Sequence, residues 1–312
     1  MQYLFAWRYF KSKKSTSAIN IIAWVSVTAI AVGAAALIVI LSVFNGFEDL
    51  VKGLYTDFYA DMRVLPAEGK QITLDSNTVY KITSIDGVTA VSKVIEEKAL
   101  LANGDYQSIV VVKGVDSVFA STNNIGKHIV RGVYEMGDVQ NPGIVMGAGI
   151  ENAVGVDVTK GGFPLTLYTP NKGAGFDAVD GMFAFNITAK GVFAVQQEFD
   201  NKFIFTNIDF LRYMLSMTPN QVSGLELKIN GRPEKIKAAI QHAIGKNFIV
   251  ETRYEQNKNL YAVMQMEKWI IYGILSLILI VAAFNMIGAL TMLVLEKQKD
   301  ISVLRAMGSS TA

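Results

Sequence analysis

Two long apolar runs, Ile21–Phe44 and Trp269–Leu295, bracket a polar interior and constrain the fold of this chain more than any other feature. Neither run contains an Asp, Glu, Lys, Arg or His residue. As α-helices that rise about 1.5 Å per residue, each is longer than the roughly 30 Å of hydrocarbon in a bilayer. The runs therefore predict transmembrane helices over residues 21–44 and 269–295, with residues 45–268 held on one side of the membrane.

Basic residues flank the two runs on the sides that face away from the interior segment. They are Arg8, Lys11, Lys13 and Lys14 before the first run, and Lys297, Lys299 and Arg305 after the second. Because positively charged flanks remain in the cytoplasm, we expect both ends of the printed chain inside the cell and the interior segment outside the cytoplasm. A cleavable signal peptide is the alternative for the first run, but its apolar core should have only about 7–15 residues.

Residues 1–20 form the predicted cytoplasmic segment before the first span. Tyr3, Trp7 and Phe10 fall on one face of a helix, which suits an amphipathic helix lying in the headgroup region and attracted to membrane lipid. An aromatic run-in to the span is an equally good interpretation.

The composition excludes several classes of function. A net charge of +2 without a basic stripe argues against nucleic acid as a partner. The chain has no cysteine, which excludes disulfides, thiolate metal sites and cysteine nucleophiles. His128 and His242 lack the spacing of metal ligands, and no phosphate-binding loop or hydrolytic motif occurs. We therefore expect no catalytic residue, cofactor or metal in this chain.

One glycine-rich stretch, which begins at Gly147, has a superficial likeness to a dinucleotide-binding turn. Gly149 follows at the right spacing, but Asn152 stands where the third glycine should be. The stretch instead predicts a tight turn into a short helix that Gly155 ends.

The interior segment shows a mixed pattern of helix and strand that predicts an α+β domain. One strand–helix–strand unit comprises Asp61–Pro66, Asn77–Ile85 and Val91–Ala99, and a second comprises Gly224–Ile229, Pro233–Ile244 and Phe248–Glu251. Together they are typical of a split ferredoxin-like α+β part. The predicted fold is thus two transmembrane helices flanking a large extracytoplasmic domain with this split part and a β-rich insertion.

The β-rich insertion covers about residues 100–222. Its predicted strands are Ile109–Lys113, Ile144–Met146, Pro164–Tyr168, Phe183–Phe193 and Phe203–Thr206.

Small and polar residues inside the spans predict contacts with other helices. Gly33 belongs to a small-residue face of the first span, and Gly288 lies near Asn285 in the second. Such faces let helices approach closely in lipid. Asn285 favours an interhelical hydrogen bond, with a place in a transport path as the alternative.

Residues 296–312 follow the second span and predict a short cytoplasmic helix. Ile301, Leu304 and Gly308 share one side of it, and Gly308 is suited to ending it. A membrane anchor needs no second apolar surface, so this helix is suited to docking in a groove on another protein.

The whole layout resembles the permease subunits of lipoprotein-releasing ABC transporters, the LolC/LolE type within the MacB/FtsX superfamily. The residues that carry the resemblance are Met266-Glu267-Lys268, Ala282-Ala283-Phe284-Asn285, Glu296-Lys297-Gln298, Ile301, Leu304-Arg305 and Gly308. The resemblance implies a MacB-like periplasmic core domain in a multi-pass protein of the bacterial inner membrane. Members have four spans, whereas the printed sequence stops soon after Gly308, so a truncated chain is the most economical interpretation.

The resemblance also implies partners. The tail helix would be a coupling helix that docks on a separate ABC ATPase subunit, which binds and hydrolyses the ATP. Its candidate docking residues are Glu296, Lys297, Asp300, Ile301, Leu304, Arg305 and Gly308. A second permease subunit, either identical or related, would complete the transporter.

A loop at Pro170–Phe183 is the position at which the resemblance implies contact with a periplasmic lipoprotein carrier. Its candidate contact residues are Pro170, Phe176, Met182 and Phe183. The loop departs from the proline- and arginine-containing sequence of the carrier-recruiting subunit. A docking hook and a plain hairpin are therefore equal alternatives.

The function implied by the resemblance is extraction of lipoproteins from the inner membrane and their transfer to the carrier. A MacB-like mechanotransmission permease for efflux or peptide export is the first alternative. A two-span membrane sensor is the second.

Overall fold

The computed structural model describes residues 18–161, 164–170 and 182–308. The chain divides into a helical unit, Met1–Asp49 with Asn259–Ala312, and a sheet unit, Leu50–Lys258. The described helices are α1 (Ala18–Phe58), α2 (Ser76–Thr83), α3 (Phe119–Thr122), α4 (Ala148–Ala153), α5 (Gln197–Asp200), α6 (Ile208–Met214), α7 (Pro233–Ile244), α8 (Arg253–Gln256) and α9 (Lys258–Ala306). Two 3-10 turns lie at Ile125–His128 and Val158–Lys160.

The strands belong to the sheet unit. They are β1 (Met62–Pro66), β2 (Ile72–Thr73), β3 (Val88–Asn103), β4 (Tyr106–Val115), β5 (Ile129–Gly132), β6 (Gly143–Gly147), β7 (Pro164–Pro170), β8 (Met182–Phe193), β9 (Phe203–Asn207), β10 (Gln221–Val222), β11 (Gly224–Ile229) and β12 (Phe248–Thr252).

Helices α1 and α9 contain the two candidate membrane-spanning segments. By length and hydropathy these are Ile30–Phe58 and Lys258–Met292. The protein therefore has the two apolar helices and the α+β segment between them that the sequence predicts. The helix of the first run continues well past Phe44, through Gly46 and Gly53 to Phe58.

Ten of the described strands form one sheet, in the order β12–β1–β11–β3–β4–β9–β6–β8–β5, with β7 pairing to both β3 and β8. Its first four strands are joined by antiparallel ladders. Helices α2 and α7 are amphipathic: α2 buries Ile82, and α7 buries Ile236 and Ile240. These side chains join one hydrophobic cluster with alternate residues of the strands, such as Met62 and Leu225.

Strand β3 connects the two parts of the sheet. Its first half pairs with β11 from Val88 to Val94, and its second half pairs with β4 from Val94 to Asn103. Position 100, the approximate start of the predicted insertion, therefore lies inside a strand. The β-rich part extends the same sheet rather than forming a separate layer.

Most predicted elements are present with small shifts at their ends. Strand β11 and helix α7 have the predicted limits, and β3 and β4 are longer than predicted. The predictions missed several short elements, which are β2, β5, β10, α3, α5 and α6. Helix α6 is capped by Asn207, whose side chain accepts hydrogen bonds from the backbone N–H groups of Asp209 and Phe210. Such a seven-residue helix is too short to show a clear periodicity.

Candidate functional site

Within the helical unit, the least exposed residues of each long helix recur every three or four positions. In α1 they include Ile30, Gly33, Leu37, Leu41 and Phe44, and in α9 they include Tyr261, Met264, Lys268, Ile271 and Leu275. This spacing produces one narrow stripe along each helix. The other faces remain exposed, as for Val32 and Leu277. Such apolar surface is suited to lipid or to further helices.

An ion pair connects the two helices of the helical unit. Lys268 Nζ lies 3.3 Å from Glu48 Oε2, and both side chains are half-buried. Both residues belong to the sparsely exposed stripes, so the pair links the two stripes.

The structure leaves space around the two predicted packing glycines of the spans. A Cβ atom added at Gly33 or Gly288 would meet nothing within 4 Å. Asn285 is exposed. The packing role of these three residues stays a prediction.

The tail after the second span is helical, as its periodicity predicts. Helix α9 continues to Ala306, and Gly308 has a φ of +92°, the left-handed conformation that ends helices at glycine. Val303 and Met307, which adjoin the predicted docking face, are exposed. The docking role of Glu296, Lys297, Asp300, Ile301, Leu304, Arg305 and Gly308 stays a prediction.

The predicted carrier-binding loop joins two paired strands. Strands β7 and β8 form an antiparallel hairpin in which Pro170 lies opposite Met182. Phe176 and the rest of residues 171–181 lie outside the described residues. Phe183 is 41% exposed, and the centroid of its ring lies 6.4 Å from that of Phe185.

The glycine-rich stretch after β6 forms the predicted turn into a short helix, α4. Gly155, just beyond it, has a φ of +64°. A Cβ atom at Gly147 would lie 2.2 Å from the carbonyl oxygen of Asp200, so glycine is required there by close packing of the backbone.

Four charged residues form a network on one face of the sheet. Arg63 of β1 contacts Glu96 of β3 at 2.7 Å, and Lys113 of β4 lies 3.3 Å from the same carboxylate. Lys113 also pairs with Glu226 of β11. Lys113 and Glu226 are both buried, at 3% and 2% exposure.

Electrostatics within this network keep Glu96 ionised. Burial alone would raise the pKa of the Glu96 carboxyl, but the positive charges of Lys113 and Arg63 outweigh burial and lower that pKa to about 2. Buried charges are costly to desolvate, so each member depends on its partners.

The last turns of α1 are anchored in the sheet unit by aromatic contacts. The ring of Phe58 stacks on that of Phe199, with centroids 4.0 Å apart, and contacts Phe203 at 4.8 Å. The Tyr55 hydroxyl donates a 2.6 Å hydrogen bond to Glu198. These contacts explain why the helix continues past Asn45, where the apolar run ends.

Neither the charge network nor this aromatic cluster is predicted from the sequence. The network did leave a signal, because a single charge stands between apolar residues on several strands, as in Met62-Arg63-Val64 and Leu225-Glu226-Leu227. Strand alternation places each such charge on the face opposite to its apolar neighbours. The residues of one strand, however, do not indicate which other strand pairs with it.

The fold defines a class of membrane protein in which a large α+β unit is inserted between two candidate spanning helices. Residues 23–243 match the family model of the MacB-like periplasmic core domain. The chain therefore belongs to this family.

Similar proteins include permeases of lipoprotein-releasing systems. The chain is 29% identical to the lipoprotein-releasing system transmembrane protein LolC of Neisseria meningitidis, over 98% of this chain and 73% of that protein. It is 25% identical to the corresponding LolE protein of Haemophilus influenzae, over 99% of this chain and 75% of that protein. The resemblance to LolC/LolE-type permeases is thereby confirmed.

The solved structures to which this chain is similar include the periplasmic region of MacB from Actinobacillus actinomycetemcomitans. It is 10% identical to this chain, covers 64% of it and 92% of its own length, and has a TM-score of 0.44. The extracellular domain of the transporter YknZ from Gram-positive bacteria is also 10% identical, with coverages of 61% and 99% and a TM-score of 0.43.

Proposed function

We propose that this chain is a permease subunit of an ABC transporter that extracts lipoproteins from the inner membrane and passes them to a periplasmic carrier. The similarity to LolC and LolE proteins along nearly the whole chain is the observation that carries the proposal. The protein would cross the inner membrane several times, with the sheet unit in the periplasm. A separate ATPase subunit would bind and hydrolyse ATP, and a second permease subunit, identical or related, would complete the path.

The sheet order supports the split ferredoxin-like assignment for one part of the periplasmic domain. Strands β1 and β3 are connected through α2, and β11 and β12 through α7. The neighbours in the sheet run β12–β1–β11–β3 and are antiparallel, so the two strand–helix–strand units interleave. We infer a ferredoxin-like part formed by both ends of the sheet unit, with the β-rich part between them in sequence.

The cost of wetting acyl chains constrains the mechanism. At about 0.8 kcal/mol per buried CH₂, one long acyl chain costs on the order of 12 kcal/mol to transfer into water. A lipoprotein should therefore leave the bilayer through an apolar passage between span helices and enter the cavity of the carrier directly. The exposed apolar faces of α1 and α9 would supply part of that passage, and movement at the tail helix would drive the transfer.

A reconstituted release assay tests the proposal. The permease that contains this chain, assembled with its ATPase in proteoliposomes, should transfer an acylated protein to the soluble carrier only when ATP is supplied. A MacB-like efflux permease, the alternative suggested by the family model, should instead require a periplasmic adaptor and leave the acylated protein in the membrane. That second outcome would contradict the proposal.

The hairpin loop between β7 and β8 should determine carrier capture if it is a docking hook. Replacing residues 171–181 by an Asn-Gly turn preserves the pairing of Pro170 with Met182, because a two-residue turn closes an antiparallel hairpin. We expect at least tenfold less crosslinking to the carrier, while assembly with the ATPase is unchanged.

A matched control replaces residues 171–181 by a glycine–serine loop of equal length. Loss of crosslinking in both variants would assign capture to the side chains of the loop. Crosslinking that is undiminished in both would identify a plain hairpin.

A further inference from the structure

The sheet unit contains a cavity of about 540 Å³ on the face of the sheet that carries the charge network. Strand alternation separates the two faces: Met62 and Val64 point to the core that α2 and α7 cover, and Arg63 lies on the opposite face. Phe58, the last residue of α1, and Tyr59, which follows it, form part of the cavity wall together with Phe203.

The floor of the cavity carries an excess of acid. Cross-strand partners lie on the same face of a sheet, which groups Arg63 with Glu226 and Glu251, and Glu96 with Lys113. Two cations, Arg63 and Lys113, thus face three carboxylates, those of Glu96, Glu226 and Glu251. The deep part of the cavity therefore favours a positively charged group.

One carboxylate oxygen on this floor has no partner. Oε1 of Glu226 accepts a hydrogen bond from Lys113, whereas Oε2 has no hydrogen-bond partner among the described residues. Glu226 is only 2% exposed. Two further polar atoms of the cavity lining, Arg63 Nε and Gln256 Oε1, are likewise buried without a hydrogen-bond partner among the described residues, so the floor leaves both donor and acceptor capacity unused at a cost in free energy.

The rim of the cavity has the opposite charge. Lys70, Lys98 and Lys202 line it and are exposed, and Glu97 is the acidic residue among them, 3.8 Å from Lys70. Lys202 Nζ lies 5.2 Å from the centroid of the Phe203 ring. The mouth of the cavity therefore favours an anionic group, whereas its floor favours a cation.

We propose that this cavity binds a small zwitterion with its primary ammonium group toward Glu226 and Glu251 and its anionic group toward Lys98 and Lys202. The chemistry required is an ammonium and a phosphate or carboxylate on a short linker. A phospholipid headgroup and a free amino acid or short peptide both provide it. The inference rests on the cavity alone and does not depend on the transport function, because binding is measured without an ATPase or a carrier.

Calorimetric titration of the detergent-solubilised full chain tests the proposal. Phosphoethanolamine and glycylglycine represent the two sources of zwitterion. Ethanolamine carries only the ammonium group of phosphoethanolamine, and methyl phosphate carries only its phosphate group. We expect at least one zwitterion to bind at least tenfold more tightly than either separate charge. Phosphocholine carries one positive and one negative group like phosphoethanolamine, but its trimethylammonium group has no N–H. It should therefore bind more weakly than phosphoethanolamine if phosphoethanolamine is the preferred zwitterion.

Substitutions on the floor and at the rim should weaken binding separately. Glu226→Gln and the double change Lys98→Gln with Lys202→Gln should each weaken binding at least tenfold. Lys93→Gln is the matched control, because Lys93 lies on β3 an odd number of residues from Lys98 and thus on the opposite face. It should leave the affinity unchanged.

The double change Lys98→Gln with Lys202→Gln still tests the proposal if Glu226→Gln prevents folding. Both lysines are exposed, so their replacement should leave the fold intact. Tighter binding of phosphoethanolamine would assign the site to a headgroup-like ligand, and tighter binding of glycylglycine to a peptide-like one. Absence of saturable heat with both zwitterions, equal binding of the separate charges, or equal loss in the Lys93→Gln control would overturn the proposal. In each of these cases the release assay still reports on the transport function independently.

Discussion

Replacing Ile301 and Leu304 together by aspartate is expected to abolish copurification of the ATPase, with at least a tenfold loss of bound subunit. The physical reason is that the two residues share one side of the tail helix, and a groove that accepts apolar side chains rejects unpaired charges. The helix itself should persist, because aspartate is tolerated in helices at a cost well below about 1 kcal/mol per residue. The measurement is affinity purification of the permease followed by quantification of the ATPase.

Ser302→Asp is the matched control for this prediction. It adds charge one residue away, on a different side of the helix, at an exposed position. We expect it to retain the ATPase. Normal ATPase recovery and lipoprotein release in the double variant would show that the tail helix is not the coupling element.

Replacing Lys113 by methionine is expected to destabilise the sheet unit by about 3–5 kcal/mol, the typical cost of breaking a buried charge pair. The substitution leaves Glu226 buried and without its hydrogen-bond donor, and it removes one of the two cations that contact Glu96. The measurement is thermal unfolding followed by far-ultraviolet circular dichroism at pH 7. Tryptophan fluorescence is unsuitable, since the sequence of the sheet unit, residues 50–258, contains no tryptophan.

The same variant should alter the response to acid. The folded-state pKa of Glu96 is about 2, compared with its ordinary value of 4.5, so its stabilising contribution is complete above about pH 4.5 and is lost as the pH falls toward 2. Without Lys113 the pKa of Glu96 rises, and the acid transition should begin at a higher pH. Lys202→Met, which removes an exposed lysine beside the same cavity, is the control and should leave the transition in place. An unchanged acid transition in Lys113→Met would mean that the network does not hold Glu96 ionised.

The elements that the sequence predicted well have local causes. Helix α7 has the predicted limits because Pro233 stands at its first turn and Gly245, with a φ of +80°, ends it. The spans are recognisable because a long apolar run without charges indicates by itself a helix that crosses the bilayer. The tail helix ends before Gly308 for the same kind of local reason as α7.

The first span illustrates where local reasoning is insufficient. Asn45 and Gly46 are poor helix formers, which favours ending the helix at Phe44. The observed helix nevertheless continues to Phe58, because Phe58 packs against Phe199. The packing of Phe58 against Phe199, which is distant in the chain, thus outweighs the low helix propensity of Asn45 and Gly46.

By itself, the sequence determined the two apolar helices, the α+β character of the segment between them, most of its strands and the family. Hydropathy, periodicity and end signals are properties of contiguous residues, and so they are readable without a structure. Only the tertiary structure decided the order of the strands, the continuity of one sheet through β3, and the juxtaposition of Arg63, Glu96, Lys113 and Glu226 around a cavity. These features depend on pairing between strands far apart in sequence, and a strand's own residues specify which face is buried but not which partner lies beside it.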